Sequence, residues 1–528
     1  MIAHFSSNPT TTKESAIARL HELISTTRVV AVDTETISLK DTTMIGYGLC
    51  FNGEDSFFLT PDSEDYVWGL YAIQSPTILK LYFNVMFDLR VLELYRPDNT
   101  NIYDVSLAAH LNGEFGRLVD LASLHDIPAH SFQEVANGHS TFRDVPIEAI
   151  ARKCCEDAEA TYRLFNIYNH PEVDKYVRFD MDVVPVLLSM SQQGLDVDNV
   201  LARELGEELE GQVEVYKNLC DTEGFSPSSP KQVAYILSKR GHFLPFTKTR
   251  KSLSSAEDVL RYVDDPIASV VLHYRELYYL SSHYLKPLYN VDVVHPKYNL
   301  DAITTRISCS NPNMMNIPKG KLRSIFIPRS GIFSKIDYSQ IQLRILAYLS
   351  NDREMKYIYE HPPLDIHSET AKFMNIPRDT AKNVNFSMVF GASPQTIAET
   401  ANITDIGRAK ELIQLWSKKY RGAWEWIEDQ KHYGLRTGRV TTIDGRRIKL
   451  PDNEDIESIY RKAVNYPIQA SEAEIAKKAM VKCYKAGLPL AIFLHDELVF
   501  DGKVELPDLS HLGPVYTPLE VKELKRWE

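Results

Sequence analysis

The chain has 528 residues, 44% apolar and 25% charged, with a net charge of −12. That length suits two or more domains, each with its own core. No apolar run reaches membrane-spanning length, and the negative balance argues against indiscriminate binding of polyanions. The six cysteines show no metal-ligand spacing, and the adjacent Cys154 and Cys155 cannot form an ordinary bridge. A reducing, intracellular setting is expected. The N-terminus lacks a signal-peptide core, and Lys13 to Ile24 reads as an amphipathic helix.

Arg28-Val-Val-Ala-Val-Asp33-Thr-Glu35-Thr36 is an apolar strand ending in two carboxylates at i and i+2. Such residues share a face, so both can reach one metal. Strands follow at 44–51, 55–60 and 77–84, the last leading into a helix from Val85 that carries Asp88. Ile102 to Leu111 reads as strand then helix, and Ile147 to Ile167 as a long helix carrying Asp157. Strands alternating with helices predict an α/β domain of about 170 residues. With DTET, FNVMFD and CCEDAEATYRL, the order Asp33, Glu35, Asp88, Asp157 resembles the DEDD-type 3′–5′ exonucleases. That resemblance implies an RNase H-like domain. Its carboxylates would hold two divalent ions about 4 Å apart for hydrolysis. The proofreading members carry a Tyr four residues before the last Asp, where this chain has Lys153. Lysine is a poor general base at its ordinary pKa, so a metal-competent but slower exonuclease is expected.

From Asp180 to Cys220 the pattern is helical, broken at Gln193–Asp198. Pro and Ser caps precede a helix near 230, Lys248 to Ser255 is a basic hydroxyl-rich loop, and Leu272 to Leu285 reads as a helix. Residues 229–329 hold 15 Lys/Arg against 7 Asp/Glu, a local basic block suited to guiding a polyanion. The run Ala302-Ile-Thr-Thr-Arg306-Ile-Ser-Cys-Ser-Asn-Pro-Asn313-Met-Met-Asn316-Ile-Pro318 is a polar loop by composition. It is similar to the minor-groove run of family A DNA polymerases. The break at 193–198 and the 180–285 region resemble the opening and the thumb of the same family, which grips duplex phosphates.

Asp337-Tyr338-Ser-Gln-Ile-Gln342-Leu-Arg344 resembles that family's DYSQIELR, with Gln342 in place of Glu. The Glu normally blocks a ribose 2′-OH and pairs with a Tyr. Here ribose exclusion is expected to survive on bulk, in relaxed form. Arg378, Lys382, Phe386 and Phe390 recur at i, i+4, i+8 and i+12 along one helix face. A stripe that begins with two cations suits a triphosphate flanked by sugar and base, and it resembles the family's fingers helix. The resemblance makes Lys382 the group that neutralises pyrophosphate, Arg378 the holder of the outer phosphates and Phe386 the neighbour of the sugar. Phe390 stands where the family has Tyr, so both ends of the Glu–Tyr hydrogen bond are absent together. Thr441 to Leu450 reads as a hairpin. Arg461, Asn465 and Gln469 follow at i, i+4 and i+8, matching positions that face primer or template.

Ala491-Ile-Phe-Leu-His495-Asp496-Glu497-Leu-Val-Phe500 is an apolar strand pair with two carboxylates and a His at its tip. With the strand-borne Asp337 it suits a two-metal phosphoryl-transfer site. The resemblance covers the whole chain. It implies an α/β multidomain protein: a 3′–5′ exonuclease domain at 1–175 and a right-hand polymerase at 176–528. The thumb is expected at about 176–294, the palm at about 295–350 and 441–528, and the fingers at about 351–440. It further implies a template-directed DNA polymerase of the compact phage-replicase kind, without a 5′-nuclease domain, acting on primer–template DNA and dNTPs. Two Mg²⁺ at the polymerase site and two divalent ions at the exonuclease site, with Mn²⁺ able to substitute, are expected. So are a monomeric state, a cytoplasmic location (the host's, if phage-encoded) and replisome partners such as a helicase that the sequence does not identify. Asp337, Asp496, Glu497 and Lys382 are the expected polymerase groups. Arg378, Phe386, Phe390, Gln342, Tyr338 and His495 are expected at the nucleotide, and Arg306, Asn313, Asn316, Arg461, Asn465 and Gln469 at DNA. The alternative is an exonuclease with a weak or inactive polymerase half. A single-subunit RNA polymerase fits less well, given the exonuclease pattern and the bulk of Gln342.

Overall fold

The computed structural model describes every residue except 1, 7–11, 63–65, 96, 248–250, 402, 404 and 453. Lys248 to Arg250 of the expected basic loop therefore lie outside the described residues. The N-terminal half is built on a six-stranded sheet in the order Ile2–Phe5, Ser56–Leu59, Met44–Cys50, Val29–Thr36, Leu79–Tyr82, Ile102–Asp104. Strand Val29–Thr36 pairs antiparallel with Met44–Cys50 and parallel with Leu79–Tyr82. The helix Ile147–Tyr168 lies across this sheet and buries Ile150, Ala151, Cys154, Ala158, Thr161 and Leu164 at helical spacing. Each large apolar side chain so buried contributes roughly 1.5–3 kcal/mol as an upper estimate. The approach is close at Gly48, where a Cβ would stand 2.8 Å from the Cys154 carbonyl oxygen. A glycine there lets the helix sit on the strand, which brings Lys153 and Asp157 to the end of Val29–Thr36.

The C-terminal half is centred on an antiparallel sheet in the order Leu490–Leu494, Glu497–Asp501, Phe333–Tyr338, Leu519–Leu524. The helices Ile341–Ser350 and Ile456–Lys485 pack on each other beside it. Among the described residues, six helices lie between Arg353 and Thr437, in the span expected for the fingers. The arm made by Asn199–Thr222, Pro230–Lys239 and Pro266–Tyr279 has its own small core of Phe225, Val233, Leu237, Leu260 and Val271. The break at 193–198 is not a bare turn. It holds a short strand, Leu195–Val197, which pairs with Phe326–Ile327 and Val293–Val294.

The boundary expected at 175/176 falls inside the helix Pro171–Met181. This helix ties the halves together. Asp180, 2% exposed, takes Arg446 Nη1 at 2.7 Å and Lys477 Nζ at 2.7 Å, and Arg446 Nε also reaches Glu474 at 2.9 Å. Two buried cations share two buried anions, so removing one member leaves an uncompensated charge. Asp180→Ala is expected to cost about 3–5 kcal/mol of stability, measured by denaturant unfolding. Asp180→Ala combined with Lys477→Met should recover part of that loss.

All six cysteines are buried and unbridged. Among the described residues no helix is long and apolar enough to cross a membrane.

Candidate active sites

At the end of Val29–Thr36, carboxylate oxygens of Asp33, Glu35 and Asp157 lie within 4.8 Å of one another. Strand alternation puts Asp33 and Glu35 on one face, and the docked helix supplies Asp157. Asp88 stands behind them and accepts from the backbone N–H and hydroxyl of Thr34 at 3.0 and 2.7 Å. Burial pushes its carboxyl up to about 8 despite those bonds. Burial also raises Asp33, with help from the charges of Asp157 and Glu35. Asp157 Oδ1 is buried with no hydrogen-bond partner. A dense set of desolvated carboxylate oxygens with an orphan among them fits a hard divalent cation. One cation is already built in: Lys153 Nζ donates to Glu35 Oε1 and Asp157 Oδ2, both at 2.6 Å. Burial would lower its pKa, but the three carboxylates outweigh this and hold it well above its usual value. The cluster opens on a cleft of about 730 Å³ lined in part by Phe83, Phe87 and Phe132.

In the second half, Asp337 is the penultimate residue of the strand Phe333–Tyr338, with Glu497 directly across from it. Asp496 lies in the tight turn between Leu490–Leu494 and Glu497–Asp501, not on a strand, and its carbonyl accepts from the Tyr338 N–H at 3.3 Å. His495 adopts φ 56° in the same turn. Burial, together with the charges of Glu472 and Asp337, pushes the Asp496 carboxyl up to about 7. Burial and Glu497 raise Asp337 in the same direction. Two half-buried acids that disfavour each other's charge suit a site completed by a divalent cation.

Two of the expected residues are tied into the sheet. Glu497 is 3% exposed. Its carboxylate accepts from Trp527 Nε1 at 2.7 Å and pairs with Lys335 Nζ at 2.6 Å. It faces Asp337 from the neighbouring strand, beside the two acids, and these partners tie its carboxylate into the sheet. Tyr338 points to the opposite face from Asp337, as alternation requires. It is 1% exposed and its hydroxyl donates to Leu509 O at 3.2 Å. Its side chain is a core group there and does not line a nucleotide site.

The helix Arg378–Val389 carries Arg378, Lys382 and Phe386, and Phe390 caps it with its N–H donated to Phe386 O at 3.1 Å. Arg378 Nε donates to Asp365 Oδ2 at 3.0 Å. Burial opposes ionisation of Asp365, yet Arg378 and Ser368 hold its carboxyl well below the usual range. His367 sits 5.7 Å from Phe386, ring to ring, and burial pushes it down to about 4, so its imidazole is neutral at pH 7. Its ring is held against Asn385 Nδ2 at 3.0 Å.

Arg461, Asn465 and Gln469 share the helix Ile456–Lys485. Asn313 caps a 3₁₀ turn, accepting from Met315 N–H at 3.1 Å, and Asn316 is exposed on that turn. Arg306 is paired with Glu472. Much of the basic block is likewise engaged by acids: Arg240 with Glu223, Arg261 with Glu257, Lys286 with Glu210, Arg329 with Asp196. Glu472, Asp365, Lys335 and Trp527 were not singled out from the sequence. Only Asp365 left a local signal, as an N-cap one residue before a helix.

Comparison with known proteins matches residues 197–509 to the family model "DNA polymerase family A" and residues 9–170 to a "3′-5′ exonuclease" model. DNA polymerase I of Treponema pallidum is 27% identical, over 93% of this chain and 60% of that one. DNA polymerase I of Bacillus subtilis is 30% identical, over 78% and 52%. The chain thus spans about half to three-fifths of the length of these curated relatives. The POL domain of Pol1 from M. smegmatis, solved in complex with DNA primer-template and dNTP, superposes with a TM-score of 0.74 at 22% identity, covering 96% of each chain.

Proposed function

Since the chain belongs to DNA polymerase family A and carries a 3′–5′ exonuclease domain, we propose that it extends a DNA primer along a template with dNTPs and trims the primer 3′ end at a second site. The observation that carries this reading is the placement of the Arg378–Val389 helix. It packs against the two palm helices, one following Asp337 and one preceding Asp496. Cations for a triphosphate and acids for a metal therefore belong to one packed unit.

Asp337 and Asp496 would hold the divalent ions, Mg²⁺ or Mn²⁺. When bound, such ions neutralise charge at the primer hydroxyl and the phosphates. Arg378 exchanges Asp365 for the outer phosphates of an incoming dNTP. Lys382, one turn on, faces the leaving pyrophosphate and donates a proton to it. Phe386 covers the sugar. Glu497 and Lys335 hold the strand that carries Asp337. At the other site, Asp33, Glu35, Asp88 and Asp157 would hold the ions for hydrolysis, and the cleft beside them receives the 3′ end. Arg306, Asn313, Asn316, Arg461, Asn465 and Gln469 contact the duplex, where amides can meet the N3 and O2 acceptors of any base pair. A replicative role in a phage, a monomeric state and a cytoplasmic location belong to the same proposal and rest on the resemblance alone.

The experiment is primer extension and primer degradation by wild type, Asp496→Ala and Asp33→Ala. Extension lost only in Asp496→Ala and shortening lost only in Asp33→Ala supports two separate sites; shortening without any extension in wild type leaves an exonuclease alone. Phe386 has no hydroxyl to replace the missing 3′-OH of a dideoxynucleotide. Steady-state incorporation should therefore favour dNTP over ddNTP by roughly 10² or more, and equal use refutes the placement of Phe386 at the sugar.

A further inference from the structure

Glu472 lies on the long palm helix at i+11 from Arg461, on the face shared by Asn465 and Gln469. It is 2% exposed. An acid this deep is retained only with partners, and its partners come from two other segments. Gln342 Nε2 donates to Glu472 Oε1 at 2.9 Å, and Arg306 is paired with Glu472 Oε2. One carboxylate thus joins the residue expected at the incoming sugar to the residue expected at the primer minor groove.

A carboxylate only accepts, so it fixes the Gln342 amide with its NH₂ toward Glu472. Gln342 Oε1 is then left buried without a donor, and Arg306 Nε is buried without an acceptor. Buried unpaired groups of this kind call for an explanation. A hydroxyl on the nucleotide sugar is the chemistry that completes Gln342, and an acceptor at the primer terminus is what completes Arg306.

We propose that Glu472 is a specificity-determining positioning residue: it orients Gln342 for sugar selection and, through Arg306, couples that selection to the primer terminus. The acid function absent at position 342 is supplied from the palm helix. This deepens the polymerase reading above and rests on it.

The test is single-nucleotide incorporation of dNTP and rNTP by wild type, Gln342→Glu, Glu472→Gln and the double variant. Gln342→Glu sets two carboxylates against each other, and Glu472→Gln sets two amides together. Each single change should alter dNTP-over-rNTP discrimination by about tenfold, the size of coupling that neighbours in one network show. The double variant exchanges the two roles and should return to within about threefold of wild type. Glu472→Gln should also shift the ratio of matched to mismatched primer extension, through Arg306. Gln342→Met, which has similar bulk and no amide, should reproduce the loss of discrimination if Gln342→Glu does not fold. Additive losses in the double variant, or unchanged discrimination in Glu472→Gln, overturn the inference. Absence of dNTP extension in wild type strikes the polymerase reading itself and the inference with it.

Discussion

Lys153→Tyr is expected to raise 3′–5′ degradation of single-stranded DNA by roughly tenfold to a hundredfold, within the range a positioned proton-transfer group contributes. The reason is geometric. The Lys153 ammonium donates at 2.6 Å to both Glu35 and Asp157, two of the three acids whose oxygens cluster for a cation. It competes for those oxygens and offers no base in return. Lys153→Met separates the two effects, because it removes the competitor without adding a hydroxyl. Calorimetric titration with Mn²⁺ should show tighter binding in Lys153→Met, with a smaller gain in turnover than Lys153→Tyr. Lys153→Met also leaves two buried acids, Glu35 and Asp157, without their cation, so in EDTA it should lose about 3–5 kcal/mol of stability, largely restored by Mn²⁺. Turnover and Mn²⁺ affinity unchanged in both variants would contradict this account.

Lys382→Ala is expected to lower the single-turnover rate of dNTP addition by roughly 10²–10³, the size of losing one preorganised donor and its proton. Arg378→Ala should act mainly on KM for dNTP, since Arg378 is held by Asp365 without nucleotide and must exchange partners to bind one. The contrast between the neighbours is the informative part. Loss of kcat at Arg378 with a pure KM effect at Lys382 would reverse the roles assigned to them.

Much of this site could be read along the chain because its signals are local. Asp33 and Glu35 share a strand face, Lys153 and Asp157 share a helix face, and Arg378, Lys382 and Phe386 recur at helical spacing. Each pattern survives in the structure. The acidic cluster at the exonuclease end is drawn from segments more than 100 residues apart, and the helix that brings Asp157 docks closely at Gly48 on the neighbouring strand Met44–Cys50. What could not be read depends on partners distant in sequence. Nothing near Glu497 in the sequence announces Trp527 or Lys335, which hold its carboxylate across from Asp337. Asp337 and Tyr338 are adjacent, yet the pleat sends them to opposite faces. Asp496, by contrast, sits in the turn between Leu490–Leu494 and Glu497–Asp501, where the apolar runs on either side leave off. Glu472 meets Gln342 from 130 residues away. The basic block from 229 to 329 is partly neutralised by acids that lie outside it in the sequence, such as Glu208, Glu210 and Glu223.

Template-directed synthesis by the C-terminal half is the central claim. Its most direct test is incorporation of one nucleotide opposite each of the four template bases, with Asp33→Ala background removing degradation. The account predicts that each template base selects its complementary dNTP, that omission of template abolishes addition, and that Asp496→Ala abolishes it on every template. Addition that ignores the template base, or that persists in Asp496→Ala, would contradict it.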